Sequence, residues 1–481
     1  METLFWHDYE TFGGDPRRDR PCQFAGIRTD HELNIVGEPV QWYCRPAPDF
    51  LPDPVSVAIT GIAPQQALQQ GLDEAEFCAR IHAELAEPGT CGVGYNSLRF
   101  DDEVTRHLLY RNFHDAYERE WKQGNSRWDL IDVLRMTQAL RPEGIVWPQH
   151  EDGSPSFRLE QLTRANGIEH GHAHEALADV RATLEMAKLV KQRQPKLFDY
   201  LFQLRNKHRV LPLLDLTKQE PVVHASRMFA ASRGCIAIVL PLCRHPSNPN
   251  GIVVADLLAD PALWMNLPAE ELRRRVFLRS EERKDDEERI PLKTVHINRC
   301  PALAPTSVLT EQVLQRYRID LALVQTRREQ LRAKPGLTQV LQQVFTETQR
   351  DTTVDPDLML YSGSFFGDHD KRLMQRIRES RPEQLAAFAT QLRDPRLPDL
   401  LFRYRARNFP VTLNPDEKTR WLQHCRRRLL GEIPGAGVTL ATFAVQLAVA
   451  KELGLTPTLK HALQDYAREL MAACGIKDAV S

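Results

Sequence analysis

The sequence predicts a multi-domain α/β protein, because strand-like and helix-like segments alternate early in the chain and helical segments fill its end. In the middle, short β-like runs punctuated by turn residues predict a small β-barrel with inserted helices. The length of 481 residues corresponds to roughly three domains of ordinary size. Hydrophobic residues make up 42% of the chain and charged residues 26%, as in globular proteins with an ample core.

The first third begins with three segments typical of β-strands. Apolar residues 4–6 open the first strand, and Gly13-Gly14 is a turn signal after it. Gln23–Asp30 and Ile35–Arg45 follow, separated by a short polar turn, and such connections predict an antiparallel meander. Beyond them we predict a strand at Cys91–Tyr95, a helix starting near Glu175, and helices at Asp73–Leu85, Glu103–Phe113, Trp128–Leu140 and Phe157–Gly167.

The middle and end of the chain have a different composition. Four runs predict the strands of the small β-barrel, namely Val222–His224, Cys235–Leu240, Gly251–Ala255 and Lys293–Asn298. The mixed charge run Glu281–Arg289 is expected to form a solvated loop. Glu311–Gln349 is predicted to be helical, and the last region is helix after helix from about Leu358.

Charge and cysteine content narrow the class of protein. Lys and Arg number 63 against 64 Asp and Glu, so a basic surface for nucleic acid has to arise from local clustering. The nine cysteines include no C-x-x-C pair, which argues against a structural zinc site and favours a reducing, cytoplasmic setting. We expect no signal peptide, no membrane span and, in the absence of an obvious coiled coil, a monomer.

Two acids stand on the first predicted strand. Asp8 and Glu10 point to the same side of it, with Cα atoms about 6.5 Å apart at ~3.3 Å per residue. Carboxylates this close repel each other unless a cation lies between them, and oxygen ligands suit magnesium or manganese. An isolated D-x-E is more often a pair of solvated acids on an edge strand, so the metal interpretation depends on the rest of the chain.

Further acids and a histidine lie at the ends of other predicted elements. Asp101 follows a strand and opens a helix, a position that lines the crevice of an α/β sheet. Alternatively, Asp101 or Asp102 simply caps that helix. Asp179 lies in the first turns of the helix near Glu175, and His174 precedes that helix, where it could approach a water molecule as a general base.

The histidines before that helix permit a second interpretation. His170, His172 and His174 alternate along the chain, and three alternating histidines can form a zinc or nickel site. In a glycine-containing loop the same pattern is as often a solvated turn. A zinc site would predict stoichiometric zinc in the purified protein.

These residues fall within longer motifs. The segments HDYETFG, GYNSLRFDDEVTR and AHEALADV resemble the three exonuclease motifs of the histidine-containing branch (DEDDh) of the DEDD superfamily. The segments SRWDLIDVLR, SFRLEQLTRANGIEH and YRARNFP are similar to those of the bacterial exodeoxyribonuclease I family. The resemblance covers most of the chain and is strongest from residue 1 to about 210.

The resemblance implies both a domain plan and an activity. It implies a ribonuclease-H-like exonuclease domain at 1–194, an SH3-like β-barrel domain with inserted helices at 195–350 and an all-α C-terminal domain at 351–481. It also implies processive 3′→5′ degradation of single-stranded DNA to deoxynucleoside 5′-monophosphates, in DNA repair and recombination. In the family, the later domains arch over the catalytic cleft and close a positive channel, which would account for processivity.

Specific roles for the acids and the histidine follow from the same resemblance. Two Mg²⁺ ions, for which Mn²⁺ can substitute, would stabilise the attacking and leaving oxygens together. Asp8 would bridge both ions, Glu10 and Asp179 would complete their shells, and Asp101 would act partly through water. His174 would deprotonate the attacking water.

Binding a single strand calls for cations along its backbone and aromatic faces for its bases. By resemblance, the DNA-binding candidates are Arg106, Tyr117, Trp121, Arg135, Arg158, Lys207, His296 and Asn298. The family also docks the acidic C-terminal tail of single-stranded-DNA-binding protein, which needs a basic pocket. Candidates for that pocket are Arg141, Tyr200 and Arg332.

Two other functions remain open from the sequence. A 3′→5′ exoribonuclease or a proofreading exonuclease would share the same four acids, although two additional domains argue against a bare proofreading module. A catalytically inactive nucleic-acid-binding scaffold is the alternative from another class. The intact set of Asp8, Glu10, Asp101, His174 and Asp179 argues against it.

Overall fold

The computed structural model describes residues 2–171, 174–278, 289–346 and 353–477. The chain divides into two compact units. The first contains Met1–Ser126, His170–Arg181 and Asp351–Ser481, and the second contains Arg127–Glu169 and Ala182–Arg350. The charge run predicted as a loop lies outside the described residues except for Arg289, and His172 lies outside them too.

The first sheet contains the strands β1 (Thr3–Thr11), β2 (Pro21–Thr29), β3 (Val40–Tyr43), β4 (Thr90–Gly94) and β5 (Ser126–Asp129). Their order is β3-β2-β1-β4-β5. β1, β2 and β3 pair antiparallel, which confirms the predicted meander, and β4 runs parallel to β1. β1 is therefore a central strand, so its acids do not belong to a solvated edge.

Two predicted elements of this region begin later than expected. The strand predicted from Ile35 starts only at Val40, because Gly37 takes a left-handed φ of 78° and turns the chain first. The helix predicted from Trp128 starts at Leu130, because Trp128 and Asp129 extend β5. The Asp129 side chain then accepts a hydrogen bond from the backbone N–H of Ile131 and caps the helix.

Helices follow and connect these strands. In chain order they are α1 (Pro54–Thr60), α2 (Pro64–Gln70), α3 (Glu74–Ala86), α4 (Asp101–Arg111), α5 (Leu130–Leu140), α6 (Leu159–Ala165), α7 (Ala176–Arg193), α8 (Pro195–Gln203) and α9 (Lys207–Val210). The α3 helix buries Phe77, Ile81 and Leu85, which is the apolar stripe that its sequence predicts.

The second sheet is antiparallel and lies in the second unit. Its strands are β6 (Val222–Ala225), β7 (Ile236–Arg244), β8 (Gly251–Asp256), β9 (Leu292–His296) and β10 (Ala302–Pro305). The order is β10-β6-β7-β8-β9. The helix α10 (Ala269–Val276) is inserted between β8 and β9, as expected for a small β domain with inserted helices.

The segment predicted as one helix from Glu311 is three helices, α11 (Glu311–Arg316), α12 (Leu321–Arg332) and α13 (Leu337–Phe345). The first ends before Arg318, whose φ of 52° is left-handed, and Asp320 caps the second by accepting from two backbone N–H groups. Gly336, with a φ of 71°, separates the second from the third.

The last part of the chain is helical, as predicted, with α14 (Asp368–Glu379), α15 (Leu397–Asn408), α16 (Pro415–Leu429), α17 (Leu440–Glu452) and α18 (Pro457–Ala473). Its core includes Trp421, Phe443 and Leu463, together with Phe12 after β1 and Val57 of α1. Within the first unit, α15–α18 thus share one apolar core with the segment after β1 and with α1. Among the described residues, no helix is both long and apolar enough to cross a membrane.

Candidate active site

Three elements of the first unit carry the four predicted acids. Asp8 and Glu10 stand on β1 with their backbones opposite β2, and the regular pairing shifts just after Glu10. Asp101 is the first residue of α4, and Asp179 lies in the first turn of α7. The charges of Glu10, Asp101 and Asp179 all act on Asp8, so the fold brings the four carboxyl groups together.

Asp101 is tied directly to β1. The backbone N–H of Tyr9 donates to Asp101 Oδ1 at 3.1 Å, and Thr105 Oγ1 donates to the Tyr9 hydroxyl at 3.0 Å. Asp101 is only 3% exposed. Neither Asp101 nor Asp102 occupies the N-cap of α4, because that position is Phe100 and has no side-chain cap. The capping alternative is therefore wrong for this helix.

Burial and mutual repulsion strongly disfavour ionisation of these carboxyl groups. Burial, followed by the charges of Asp101, Glu10 and Asp179, raises the pKa of Asp8 well above its usual range. Burial and the charges of Asp179 and Asp101 raise the pKa of Glu10 to about 9. Such a cluster is unfavourable by itself, and a divalent cation removes the repulsion.

The loop before α7 supplies the remaining side chains of the site. Its end is fixed to the sheet, because the N–H of Ala176 donates to Gln23 Oε1 at 3.1 Å. The N–H of His174 donates to Asp179 Oδ2 at 3.2 Å, and His170 Nε2 lies 2.5 Å from Asp179 Oδ1. His174 is exposed, as expected for a base that has to meet a water molecule.

The donor set fits hard divalent cations. Glu10, His174 and Asp179 each offer one ligand atom, and these atoms all lie within 4.8 Å of one another. With Asp8 and Asp101 the set is dominated by carboxylate oxygens, which Mg²⁺ and Mn²⁺ prefer. A three-histidine zinc site finds no such support among the described residues, because His170 is bonded to Asp179 and His172 lies outside them.

The DNA-binding candidates of the first unit differ in accessibility. Arg106 is 5% exposed, and its guanidinium already pairs with Glu103 at 2.6 Å and Glu120 at 2.7 Å. It lies over the half-buried ring of Tyr117, 5.5 Å from the centroid. Trp121 is 64% exposed, so its indole face is available to a base.

The DNA-binding candidates of the second unit lie on separate elements. Arg135 of α5 pairs with Asp132 and lies over the Phe157 ring. His296 ends β9 and contacts Asn248, and burial lowers its pKa to about 4. The exposed candidates are Arg158 at the N-cap of α6, Lys207 at the start of α9, and Asn298 after β9.

The three candidates for a peptide-docking pocket all belong to the second unit. Arg141, at the C-cap of α5, donates to the carbonyl oxygen of Val308 at 3.1 Å. Tyr200 of α8 is half-buried, and its hydroxyl has no hydrogen-bond partner among the described residues. Arg332 ends α12 with a side chain that is 39% exposed.

Two features of the site were not predicted from the sequence. One is the contact between His170, in the loop before α7, and Asp179 of α7, which follows no periodicity. The other is an aromatic cavity of about 310 Å³ in the first unit, lined by Tyr110, Tyr117, Tyr361, Phe365 and Phe366 among others. Phe365 is 82% exposed and meets the Tyr117 ring edge-on, with centroids 5.8 Å apart. Phe365 lies in a loop that contains serine and glycine, and the sequence of this loop has no pattern that indicates a binding surface.

Family models match three successive parts of the chain. A model described as Exonuclease matches residues 5–187, one described as Exonuclease I SH3-like domain matches 205–347, and one described as Exonuclease I C-terminal domain matches 354–470. Together they follow the predicted order of exonuclease, SH3-like and helical C-terminal domains.

Curated relatives and solved structures extend the similarity over nearly the whole chain. Exodeoxyribonuclease I of Escherichia coli is 47% identical over 98% of this chain and 98% of its own length. Exonuclease I from Methylocaldum szegediense superimposes with a TM-score of 0.92 at 49% identity, covering 98% and 100% of the two chains. E. coli Exonuclease I in complex with a dA16 oligonucleotide superimposes with a TM-score of 0.91 at 46% identity, with the same coverage.

Proposed function

The chain belongs to the exodeoxyribonuclease I family, and we propose that it degrades single-stranded DNA processively from the 3′ end, releasing deoxynucleoside 5′-monophosphates. The observation that carries this proposal is the cluster of Asp8, Glu10, Asp101 and Asp179, whose charges act on one another in a buried site. A relative of the same family has been solved with a dA16 oligonucleotide, which supports single-stranded DNA as substrate.

The four acids would hold two Mg²⁺ ions, for which Mn²⁺ can substitute. Bound divalent cations would lower the pKa of the attacking water and stabilise charge on the attacking and leaving oxygens. An E. coli relative has been solved in a zinc-bound form with single-stranded DNA, which supports a divalent-cation site in the family. Glu10 and Asp179 present their oxygens close to the His174 ring, which supports a shared site.

His174 would act as the general base. Its exposed ring accepts the proton of the attacking water, while its backbone N–H holds Asp179 Oδ2. This pair of contacts couples the position of the base to one of the acids. A scissile phosphate bound at this site would thus face both the base and the carboxylate cluster, which lie on neighbouring elements.

The DNA strand would be held by stacking and by local cations. In the first unit, exposed Trp121 and the Tyr117–Phe365 pair offer faces for bases, and Arg106 supports the Tyr117 ring. In the second unit, the proposed contacts are Arg135, Arg158, Lys207, His296 and Asn298. We propose Phe365 as an addition to the candidates taken from the sequence.

The wider setting follows from family membership. We propose domains at 1–194, 195–350 and 351–481, a monomer, and a role in DNA repair and recombination. Among the described residues the nine cysteines form no disulfide, which fits a reducing cytoplasm. Arg141, Tyr200 and Arg332 are proposed to dock the acidic C-terminal tail of single-stranded-DNA-binding protein, because guanidinium groups suit a carboxylate-rich peptide.

A paired digestion tests the activity. Wild type and Asp8→Ala are given 5′-labelled single-stranded DNA, duplex DNA and single-stranded RNA, with Mg²⁺ or with chelator. We expect only single-stranded DNA to shorten from its 3′ end, only with Mg²⁺ and only with Asp8 present. Equal cleavage of RNA would make the substrate assignment wrong, and binding of DNA without cleavage of either nucleic acid would make the protein a scaffold.

A further inference from the structure

His170 lies in the loop between α6 and α7 and has no role in the function proposed so far. Its side chain is only 8% exposed, and its Nε2 lies 2.5 Å from Asp179 Oδ1. Asp179 itself retains 18% of its side-chain exposure. A histidine with a largely buried side chain therefore lies directly against one of the four acids of the site.

Both oxygens of the Asp179 carboxylate are held from this one loop. Oδ1 meets the His170 ring, and Oδ2 accepts from the His174 backbone N–H at 3.2 Å. A terminal carboxylate otherwise rotates over a broad range, so one contact to each oxygen sets its plane. The loop before α7, and not α7 itself, thus sets the orientation of the Asp179 carboxylate.

The held carboxylate can still bind a cation. Each carboxylate oxygen has two lone pairs, so a hydrogen bond to one of them leaves the other available. In this orientation Asp179 presents an oxygen within 4.8 Å of ligand atoms of both Glu10 and His174. The His170 contact is therefore compatible with a loaded site.

We propose that His170 is a positioning residue that orients the Asp179 carboxylate for the divalent cations. The proposal rests on the proposed function, and it assigns the Nε2–H of His170 as the donor to Asp179 Oδ1. Hydrogen-bond partners of this kind behind a metal ligand typically contribute ~10–100-fold to metal affinity. His170 does not touch the DNA or the reacting atoms in this scheme.

Three variants separate the hydrogen bond from the volume of the side chain. His170→Leu keeps an apolar body without a donor, and His170→Asn carries an amide too short to reach Asp179. His170→Gln places an amide nitrogen near the position of Nε2. The matched control is His31→Asn, since His31 is 41% exposed and pairs with Glu2 outside the site.

The measurement is Mn²⁺ affinity by calorimetry on the full-length protein without DNA. We expect His170→Leu and His170→Asn to weaken Mn²⁺ binding by about 10–100-fold, and His170→Gln to restore it to within a few-fold of wild type. His31→Asn should bind as wild type does. Single-stranded DNA cleavage by His170→Leu should recover at high Mg²⁺, because the deficit lies in metal affinity.

Each other outcome has a definite meaning. Unchanged Mn²⁺ affinity in His170→Asn, or a failure of His170→Gln to restore it, would overturn the assignment of the hydrogen bond. If His170→Leu fails to fold, the comparison of the Asn and Gln variants still decides. If wild type itself binds no Mn²⁺, the proposed function fails. If wild type binds Mn²⁺ and the His170 variants bind it equally well, only the His170 inference is refuted.

Discussion

At the scale of single residues, His174 combines an unusual backbone with the role proposed for it. Its φ of 68° lies in the left-handed region, which few residues other than glycine adopt and which asparagine tolerates. His174→Asn should therefore keep the loop while removing the base, and lower kcat by about 10²–10⁴-fold. Mn²⁺ affinity of the same variant should change far less. A wild-type rate in steady-state cleavage would place the base elsewhere.

Phe365 offers a second prediction for a single side chain. Because its ring is 82% exposed and stands against Tyr117, Phe365→Ala should remove one stacking face for DNA. Stacking of a base is worth ~1–3 kcal/mol, so the affinity for a short oligonucleotide should fall about 5- to 150-fold. Fluorescence anisotropy in an Asp8→Asn background measures binding without cleavage. Val411→Ala, at a site that is 88% exposed, is the control, and equal losses in both variants would contradict the stacking role.

At the residue scale, the four acids could be proposed from the sequence because each lies on a predicted strand or near the start of a predicted helix. Asp8, Glu10, Asp101 and Asp179 sit at strand and helix positions that periodicity locates, and the structure brings them together. His170 could not be assigned in this way, because its contact depends on how an irregular loop folds back. Side chains in loops are placed by tertiary contacts, which the local sequence does not reveal.

At the scale of elements, the boundaries of helices were less predictable than their existence. The apolar pattern indicated one helix after Glu311, yet Asp320 and Gly336 divide it into three. Likewise, Asp129 separates a strand from a helix in a segment whose apolar residues fit either structure. Caps of this kind are single residues, so they are hard to distinguish from ordinary polar positions before the backbone is known.

A buried ion-pair cluster joins Asp357 to α15 and, through Arg428, to α16. Removing Asp357 should therefore cause a large loss of stability. Asp357 is 1% exposed and accepts from Arg403 at 3.0 Å and from Arg407 at 2.9 Å. Burial opposes its ionisation, but Arg407 and Arg403 hold its pKa well below the usual range. Asp357→Ala leaves both cations without this partner and should cost about 3–5 kcal/mol in urea unfolding.

The chain provides a matched control for that variant. Asp399 of α15 pairs with Arg420 of α16, but their side chains are 55% and 57% exposed. Asp399→Ala should therefore change the free energy of unfolding by no more than about 1 kcal/mol. Similar losses in the two variants would mean that burial does not set the strength of these pairs. The same urea titration, followed by tryptophan fluorescence, serves both.

At the scale of the whole molecule, the grouping of distant segments was the least predictable feature. The chain has the C-terminal domain that the resemblance implies, and the described residues of α15–α18 share a core with Phe12 and Val57 in the first unit. Side chains more than 350 residues apart meet there, as Arg407 and Asp49 do at 2.7 Å. Such pairings leave no local pattern, so neither periodicity nor composition indicates them.

The carboxylate cluster also makes the stability of the whole molecule depend on pH and metal. Burial and neighbouring acids raise the pKa of Glu10 from 4.5 to about 9, and those of Asp8 and Asp179 also rise. The metal-free folded state therefore binds more protons than the unfolded state, and its stability falls as pH rises through this window. Buried histidines act oppositely, but only below about pH 6.5, because their folded pKa values are lowered. Those lowered to about 4 are His7, His82, His107 and His296.

Between pH 7 and pH 9 the acids and the buried thiols should therefore govern the trend together, because burial also raises the pKa values of Cys22, Cys44 and Cys78 and so lowers stability as pH rises. In chelator, we expect the melting temperature of wild type to fall across this range, and Mg²⁺ to reduce the fall by neutralising the acids. Glu10→Gln removes one buried ionisation, so in chelator it should melt higher than wild type at pH 9 and gain less from Mg²⁺. Differential scanning calorimetry of both proteins, with and without Mg²⁺, measures this. A wild type and a Glu10→Gln variant with superimposable pH profiles in chelator would show that repulsion among the acids does not limit the stability of the metal-free enzyme.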